Sequence, residues 1–204
     1  TYEPSYLNFD DYLSKIFVNK KISFKIFKGN ILNEFDEVKK NDGTPFKVFT
    51  PYWRNAEKFF QEKIPSKERK IYKCKKKISF FKDTIEPSEI LPKKNWFKKF
   101  EKYWEPSEDK AQKELRNFIK NGIKNYSENR NYPSVIGTSK LSPYIKHGQI
   151  HVETIWEECE KSKSKANSKF LAEIGWREFN HSLINFFPHM LNNNYSKKFD
   201  KFPW

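Results

Sequence analysis

The sequence predicts a mostly α-helical protein that begins with the end of an α/β unit. Apolar residues recur at helical spacing over much of the second half of the chain, from about residue 107 to residue 187. Near the N-terminus, a helical pattern is followed directly by alternating apolar and polar residues, which is typical of a strand. Aromatic residues make up 18% of the 204 residues, and this composition argues against a disordered chain.

The N-terminal segment predicts a helix, a strand, a turn, a second strand and a second helix. The first helix is indicated by apolar residues at helical spacing: Tyr12, Leu13, Ile16 and Phe17. The first strand is indicated by Ile22, Phe24 and Ile26, which alternate with polar residues. We expect a turn at 42–45 and a short strand at 46–49. Thr50 would then cap a helix that begins at Pro51 and stops before Pro65.

Residues 63–105 predict a connector, because they combine prolines, dense charge and only short apolar clusters. Trp96, Phe100 and Trp104 are spaced four apart, which predicts a short helix with one aromatic stripe. Such a stripe more often packs against a neighbouring domain than binds a ligand.

The rest of the chain predicts a series of helices. Ser107 is a candidate N-cap, followed by acidic residues in the first turn, and Gly122 is a candidate end. We expect a short helix from Ser142 to about Gly148, another over residues 151–161, and a long one over residues 168–187 that Pro188 closes.

The formal net charge of +14 favours a polyanionic partner such as nucleic acid. A proteome rich in lysine would produce the same excess without any such partner. Cys74 and Cys159 form neither a disulfide framework nor a zinc pattern, which predicts a reducing, cytoplasmic location and no metal. No apolar run reaches the roughly 18 residues of a membrane span. Since the chain lacks an initiator Met, we expect it to be a piece of a longer protein.

The loop at residues 137–143, GTSKLSP, combines hydroxyl groups, one cation and the predicted start of a helix. Free backbone N–H groups and the positive end of the helix dipole suit a phosphate at such a place. Ordinary helix capping would account for the same residues and is the commoner use of such a loop.

The predicted long helix places four residues on one face: Glu173, Trp176, Arg177 and Asn180. At 3.6 residues per turn, they lie within about 100° of arc. A cavity lining for a heteroaromatic ligand would use the indole for stacking and the polar groups for edge contacts. The alternative is structural: an ion pair from Glu173 to Arg177, and a Trp176 side chain in the core.

Several motifs, in the same order and at matching spacing, give the chain a resemblance to a known family. They are GTPFKVFTPYWR at 43–54, PSE at 106–108, TSKLSPY at 138–144, FLAEIGWREFN at 170–180, FPH at 187–189 and FDKFPW at 199–204. With them the chain resembles the DNA photolyase/cryptochrome family, and most of all the cyclobutane pyrimidine dimer photolyases. The resemblance covers nearly the whole chain.

The resemblance implies a fold with three parts. Residues 1–62 would be the C-terminal end of a Rossmann-like α/β antenna domain, residues 63–105 an interdomain connector, and residues 106–204 the N-terminal half of an all-helical FAD-binding domain. FAD is the implied cofactor, and an antenna chromophore of the folate or deazaflavin type is possible. The implied partner is damaged DNA, with no membrane, and we expect a monomer.

The resemblance also implies roles for individual residues. FAD would contact Tyr126, Thr138, Ser139, Lys140, Leu141, Ser142, Phe170 and Arg177. DNA would contact Arg130, Glu173, Trp176, Arg177 and Asn180. Glu173 would hydrogen-bond the flipped-out dimer and Trp176 would stack on it, while Trp204 would belong to an electron relay. The sequence departs from the family pattern at Lys140, where Arg is usual, at Phe170, where Trp is frequent, and at Asn180, where Tyr is frequent.

The implied activity is light-driven repair of cyclobutane pyrimidine dimers, by electron transfer from reduced FAD, in a carbon–carbon lyase. Alternatives are a cryptochrome, which is a blue-light photoreceptor of the same fold, and a (6-4) photolyase. A basic nucleic-acid-binding module without catalysis is a further alternative. Glu173 together with Trp176 favours repair, because both would serve the dimer.

Overall fold

The computed structural model describes residues 4–27, 29, 31–61, 86, 90–162, 164 and 166–203. Most of the predicted connector, with Cys74, and the predicted relay residue Trp204 lie outside these ranges. The chain divides into two compact units, one of Thr1–Lys63 with Pro106–Trp204 and one of Ile64–Glu105. The assignment of three domains stays a prediction.

The larger unit is helical. Its α-helices are α1 (Pro4–Asn19), α2 (Phe49–Gln61), α4 (Glu108–Asn117), α5 (Tyr126–Asn129), α6 (Ser142–Lys146), α7 (Val152–Lys161) and α8 (Asn167–Phe186). Short 3-10 turns follow at Pro188–Leu191 and Lys197–Phe199. In the smaller unit, α3 is the single turn Lys98–Glu101. The mostly α-helical class is therefore confirmed over the described residues.

Neither predicted strand forms. The described residues contain no strand, and the segments at 22–26 and 46–49 have no regular structure before α2 begins. Ile22 and Ile26 are exposed, while Phe24 stacks on Phe17 of α1 with ring centroids 5.2 Å apart. Alternation predicts which side chains share a face, but a strand also requires a hydrogen-bonded neighbour, and no described segment provides one.

Two predicted helix boundaries are also wrong. Helix α2 begins at Phe49, so Thr50 and Pro51 lie inside its first turn and Thr50 is not the cap. Proline is tolerated there because its missing N–H would have no partner within the helix. Gly122 does not end the helix that starts at Ser107. The chain continues through a π turn, Phe118–Gly122, and a 3-10 turn, Ile123–Asn125, into α5.

Gly122 serves the packing of a neighbouring side chain and does not end the helix. A Cβ atom at this position would approach the Phe118 ring to 2.9 Å, so the glycine leaves space for that ring within the π turn. The other end of the same helix matches the prediction, because the Ser107 side chain accepts a hydrogen bond from the backbone N–H of Lys110 at 3.1 Å.

Helix α8 packs against α2, α5 and α7 in the larger unit. Leu171, Ile174 and Phe179 are buried along it. A Cβ on Gly175 would lie 2.3 Å from the Trp53 ring, so only glycine allows α2 to approach α8 this closely. Phe179 joins a buried cluster with the following residues: Val38, Phe46, Tyr52 and Ala56. The predicted bounds of α6, α7 and α8 are confirmed to within about two residues.

The predicted aromatic stripe in the smaller unit is only partly helical. Helix α3 includes Phe100 but neither Trp96 nor Trp104. Trp96 and Phe100 meet edge to face at 6.1 Å, and both side chains are more than half exposed.

Candidate functional site

The exposed side of α8 carries the four residues that the sequence placed on one face. Glu173 and Arg177 are partly buried and Trp176 and Asn180 are exposed, whereas Leu171, Ile174 and Phe179 are buried on other sides of the helix. Other segments supply two groups of neighbours to this face, one around Glu173 and one around Trp176.

An ion pair resting on aromatic rings forms the first group. The guanidinium of Arg130 donates a hydrogen bond from Nη1 to Oε1 of Glu173, and it also lies 5.3 Å above the centroid of the Tyr126 ring. Lys169 Nζ is 3.9 Å from the same carboxylate oxygen. The hydrogen bond to Glu173 raises the pKa of Arg130 above its ordinary value. The pair is about a quarter exposed, so solvent reaches its polar atoms.

Buried aromatic residues pack against each other next to this ion pair. Tyr126 meets Phe170 edge to face at 5.3 Å, and Phe118 lies 4.7 Å from Phe170. Phe170 is only 4% exposed, and burial raises the pKa of Tyr126. Four predicted site residues therefore meet in this group: Tyr126, Arg130, Phe170 and Glu173.

The predicted structural alternative for Glu173 does not form. Arg177 points to the adjacent Glu178, with Nη1 donating to Oε1 at 3.0 Å, and Glu173 pairs with Arg130 from another helix end. The spacing of four residues made a Glu173–Arg177 pair plausible, but the tertiary structure brings Arg130 to Glu173 instead.

Glu178 is a residue that sequence reasoning missed. Its side chain is almost completely buried, and its Oε2 accepts a hydrogen bond from the backbone N–H of Leu32 at 2.6 Å. Burial raises its pKa to about 7, although the Leu32 N–H and the Arg177 charge act in the opposite direction. The available signal was its spacing of four from Ile174 and seven from Leu171, which puts a carboxylate on a buried face.

A stack of aromatic rings forms the second group. Trp176 lies face to face on Phe49 with ring centroids 3.8 Å apart and planes 9° apart. Phe49 is in turn parallel to Trp53 at 6.3 Å, and Phe179 meets Trp176 edge to face at 6.0 Å. Trp176 nevertheless remains 44% exposed, so it is not the core residue of the structural alternative. Asn180 lies exposed one turn further along α8.

The loop before α6 is held against the end of α5. A Cβ on Gly137 would lie 2.4 Å from the carbonyl oxygen of Asn129, so this position requires glycine. Lys140 has a left-handed φ of 54°, and Ser139 Oγ accepts a hydrogen bond from Leu141 N–H at 3.4 Å. No side chain caps the start of α6. Leu141 is buried, whereas Thr138, Lys140 and Ser142 are exposed.

The described part of the chain holds no cluster of three His, Cys, Asp or Glu side chains that could bind a metal ion. Among the helices described, none has the length and apolar character needed to cross a membrane.

Comparisons with known proteins identify the family to which this chain belongs. The family model described as DNA photolyase matches residues 1–69. A deoxyribodipyrimidine photo-lyase from Agrobacterium fabrum is 30% identical across the whole chain. The chain belongs to the DNA photolyase/cryptochrome family.

Other relatives and one solved structure agree with this placement. The crystal structure of a bacterial class III photolyase from Agrobacterium tumefaciens matches all of the chain with a TM-score of 0.80 and 29% identity. A deoxyribodipyrimidine photo-lyase from Alkalihalophilus pseudofirmus is 32% identical over 87% of the chain, and Cryptochrome-2 from Arabidopsis thaliana is 25% identical over all of it. The chain spans 43% of the length of the Agrobacterium fabrum relative and 37% of the Alkalihalophilus one.

Proposed function

We propose that the complete polypeptide containing residues 1–204 is a light-driven DNA repair enzyme that binds a cyclobutane pyrimidine dimer extruded from the duplex. Photolyases are among the enzymes that take their target base out of the stack. The excess of positive charge on this chain would hold the phosphates, because Lys and Arg release counterions from DNA when they bind.

The observation that carries the proposal is the pairing, on one exposed face of α8, of an aromatic ring with a carboxylate. Trp176 has a flat ring that is 44% exposed, and Glu173 lies one turn before it with a partly solvated carboxylate. The rings of a pyrimidine dimer have faces that an indole can cover and N–H groups along their edges for hydrogen bonds to a carboxylate. For intact bases, stacking on an aromatic side chain contributes about 1–3 kcal/mol per base.

Arg130 would have two tasks in this arrangement. Its ion pair with Glu173 orients the carboxylate, so that Glu173 presents an acceptor to the dimer. The remaining N–H groups of the guanidinium would be available for a DNA phosphate. Arg177, by contrast, would support the site from its ion pair with the buried Glu178. Asn180 would contact DNA from the exposed end of the same face.

The loop at residues 137–143 fits the diphosphate of FAD. It exposes two hydroxyl groups, on Thr138 and Ser142, and the ammonium of Lys140, and it contains no carboxylate. Lys140 would act as a point charge where a bidentate Arg is usual. Ser139 and Leu141 shape the loop, and Tyr126 would approach the phosphates from the adjacent α5. Phe170 meets Tyr126 edge to face and would support it beside the cofactor.

FAD, when bound, would supply the light-driven electron transfer, and the protein would orient the dimer and exclude water from it. An antenna chromophore and a relay role for Trp204 remain part of the proposal.

The second candidate function is a cryptochrome-type photoreceptor, which the similarity to Cryptochrome-2 favours. A cryptochrome would bind the flavin without repairing the dimer. A (6-4) photolyase would bind flavin and DNA but act on another lesion. A module that binds nucleic acid without chemistry would bind no flavin.

One experiment separates these functions. The complete polypeptide would be purified, its visible spectrum recorded, and dimer repair assayed under blue light and in darkness. We expect flavin absorbance and repair only in the light. Flavin without repair of cyclobutane dimers would overturn the proposal in favour of a cryptochrome or a (6-4) enzyme, and a protein without flavin would leave only DNA binding.

A Lys140→Ala variant supplies the control for the cofactor loop. Because it removes the cation beside the proposed diphosphate, we expect weaker flavin retention, while Lys146→Ala, an exposed lysine in α6, should retain flavin like the wild type. Equal flavin retention in both variants would contradict the assignment of this loop.

A further inference from the structure

We propose that Phe49 positions Trp176 for stacking on the dimer, so that the lesion site includes a residue from α2, far from α8 in sequence. This inference rests on the proposed function, since it concerns the residue that would stack on the dimer. Phe49 acts through Trp176 and is a positioning residue.

The first step in the argument is the geometry of the ring pair. A centroid separation of 3.8 Å with planes 9° apart means that the Phe49 ring covers one face of the Trp176 indole. Trp176 is still 44% exposed, so it keeps accessible surface that Phe49 does not cover. A dimer placed on the indole face opposite Phe49 would extend an existing stack.

The second step is the rigidity of the support. Trp53 lies parallel to Phe49 at 6.3 Å, and Phe179, which is buried, meets the ring of Phe49 at 5.9 Å and that of Trp176 at 6.0 Å. Gly175 brings Trp53 against the backbone of α8. The support beneath Trp176 is thus fixed by packing between two helices.

The third step is the energetic consequence. An exposed tryptophan on a helix can change rotamer, and binding would have to remove that freedom. Because the Trp176 ring is already stacked on Phe49, it has lost this rotamer freedom in the folded protein before any ligand binds. Preorganisation of this kind improves affinity for the ligand that needs the orientation and leaves other binding unchanged. Phe49 should therefore affect dimer recognition more than general DNA binding.

The experiment uses the complete polypeptide with two substitutions at position 49. Phe49→Met keeps much of the side-chain volume but removes the ring, and Phe49→Tyr keeps the ring. Phe35→Met is the matched control, because Phe35 is also a partly buried phenylalanine with an aromatic neighbour, Phe186 at 6.4 Å. Dissociation constants would be measured for an oligonucleotide duplex with one central thymine dimer and for the same duplex without damage.

We expect Phe49→Met to weaken binding of the dimer duplex about 3- to 10-fold, the range that corresponds to loss of one aromatic pair. Phe49→Tyr should restore wild-type affinity, and Phe35→Met should leave it unchanged. Binding of undamaged duplex should change little in every variant. A near-UV circular dichroism band that is lost in both Phe49→Met and Trp176→Phe, but not in Phe35→Met, should mark the stacked pair.

The inference fails if Trp176→Ala weakens dimer binding but Phe49→Met does not. It also fails if Phe49→Met tightens dimer binding, because Phe49 would then occupy the face that the dimer needs. If Trp176→Ala itself leaves dimer affinity unchanged, the proposed role of Trp176 fails, and with it the basis of the inference.

A measurement on wild-type side chains covers the case in which Phe49→Met does not fold. In protein labelled with 5-fluorotryptophan, the Trp176 resonance would be assigned by its loss in Trp176→Phe. We expect one sharp resonance in the free protein, shifted by dimer duplex and not by undamaged duplex. Several exchanging resonances in the free protein would show that the indole is not held, which would overturn the inference.

Discussion

The two ends of the exposed face of α8 are built by different parts of the chain and by different forces. Around Glu173, the neighbours from outside α8 come from residues 118–130, and the closest contact is the ion pair with Arg130. Around Trp176, three positions further on, the neighbours from outside α8 come from α2, and the closest contact is the parallel stack on Phe49. Charge positions one functional side chain and ring packing positions the other.

This difference means that the two ends should respond differently to solution conditions. Salt screens a partly exposed ion pair, whereas it has little effect on stacked rings. The site also requires both segments of the larger unit, residues 31–61 and residues 106–186, to be folded together. Three substitutions test this comparison.

Glu178 should have the largest effect, because it is almost completely buried and its hydrogen bond from Leu32 joins α8 to the N-terminal segment. Its pKa is raised to about 7 in the folded protein from 4.5, so the folded state binds a proton more tightly than the unfolded state. The free energy of unfolding should therefore decrease as the pH rises from about 4.5 to 7, by an amount on the order of 3 kcal/mol.

Glu178→Gln should remove this decrease in the free energy of unfolding with rising pH, while its stability near pH 4.5 stays close to that of the wild type. Urea unfolding of both proteins across this pH range measures it, with Glu173→Gln as a control at the partly exposed carboxylate. If the free energy of unfolding changed with pH equally in the wild type and in Glu178→Gln, another titrating group would be responsible.

Gly175→Ala should have a smaller effect that is confined to the aromatic end. Its Cβ would lie 2.3 Å from the Trp53 ring, so α2 and α8 must separate, at a cost of about 1–3 kcal/mol. Gly122→Ala is the matched control, because its Cβ would meet only the Phe118 ring, at 2.9 Å. Denaturant unfolding measures the cost, and near-UV circular dichroism should report loss of the Phe49–Trp176 stack only in Gly175→Ala. Equal effects of the two substitutions would contradict the close approach of α2.

Arg130→Gln should have the smallest effect on stability, below about 1 kcal/mol, because the ion pair with Glu173 is partly solvated. The effect should diminish with added salt, which the effect of Gly175→Ala should not do. A double-mutant cycle with Glu173→Gln, measured at low and at high salt, isolates the pair. A coupling energy that does not change with salt would mean that the contact between Arg130 and Glu173 is not stabilised by charge.

The sequence predicted the helices better than the segments between them. The bounds of α6, α7 and α8 were predicted closely, because apolar spacing, proline and capping residues act within one or two turns. The strand at Ile22–Ile26 failed because its alternation says nothing about a pairing partner. The prediction that Gly122 ends a helix was wrong, because this glycine leaves space for the neighbouring Phe118 ring and does not terminate the helical backbone.

For the candidate site, the shared face of Glu173, Trp176, Arg177 and Asn180 follows from helical geometry, and the motifs around it placed the chain in its family. Helical periodicity is enough for the shared face, whereas the resemblance to the family depends on the order and spacing of the motifs along the chain. Only the tertiary structure decided that Glu173 pairs with Arg130 and not with Arg177, that Phe49 stacks on Trp176, and that Glu178 is buried against Leu32. These contacts join residues at least 40 positions apart, and their energies depend on burial and distance that local sequence patterns do not contain.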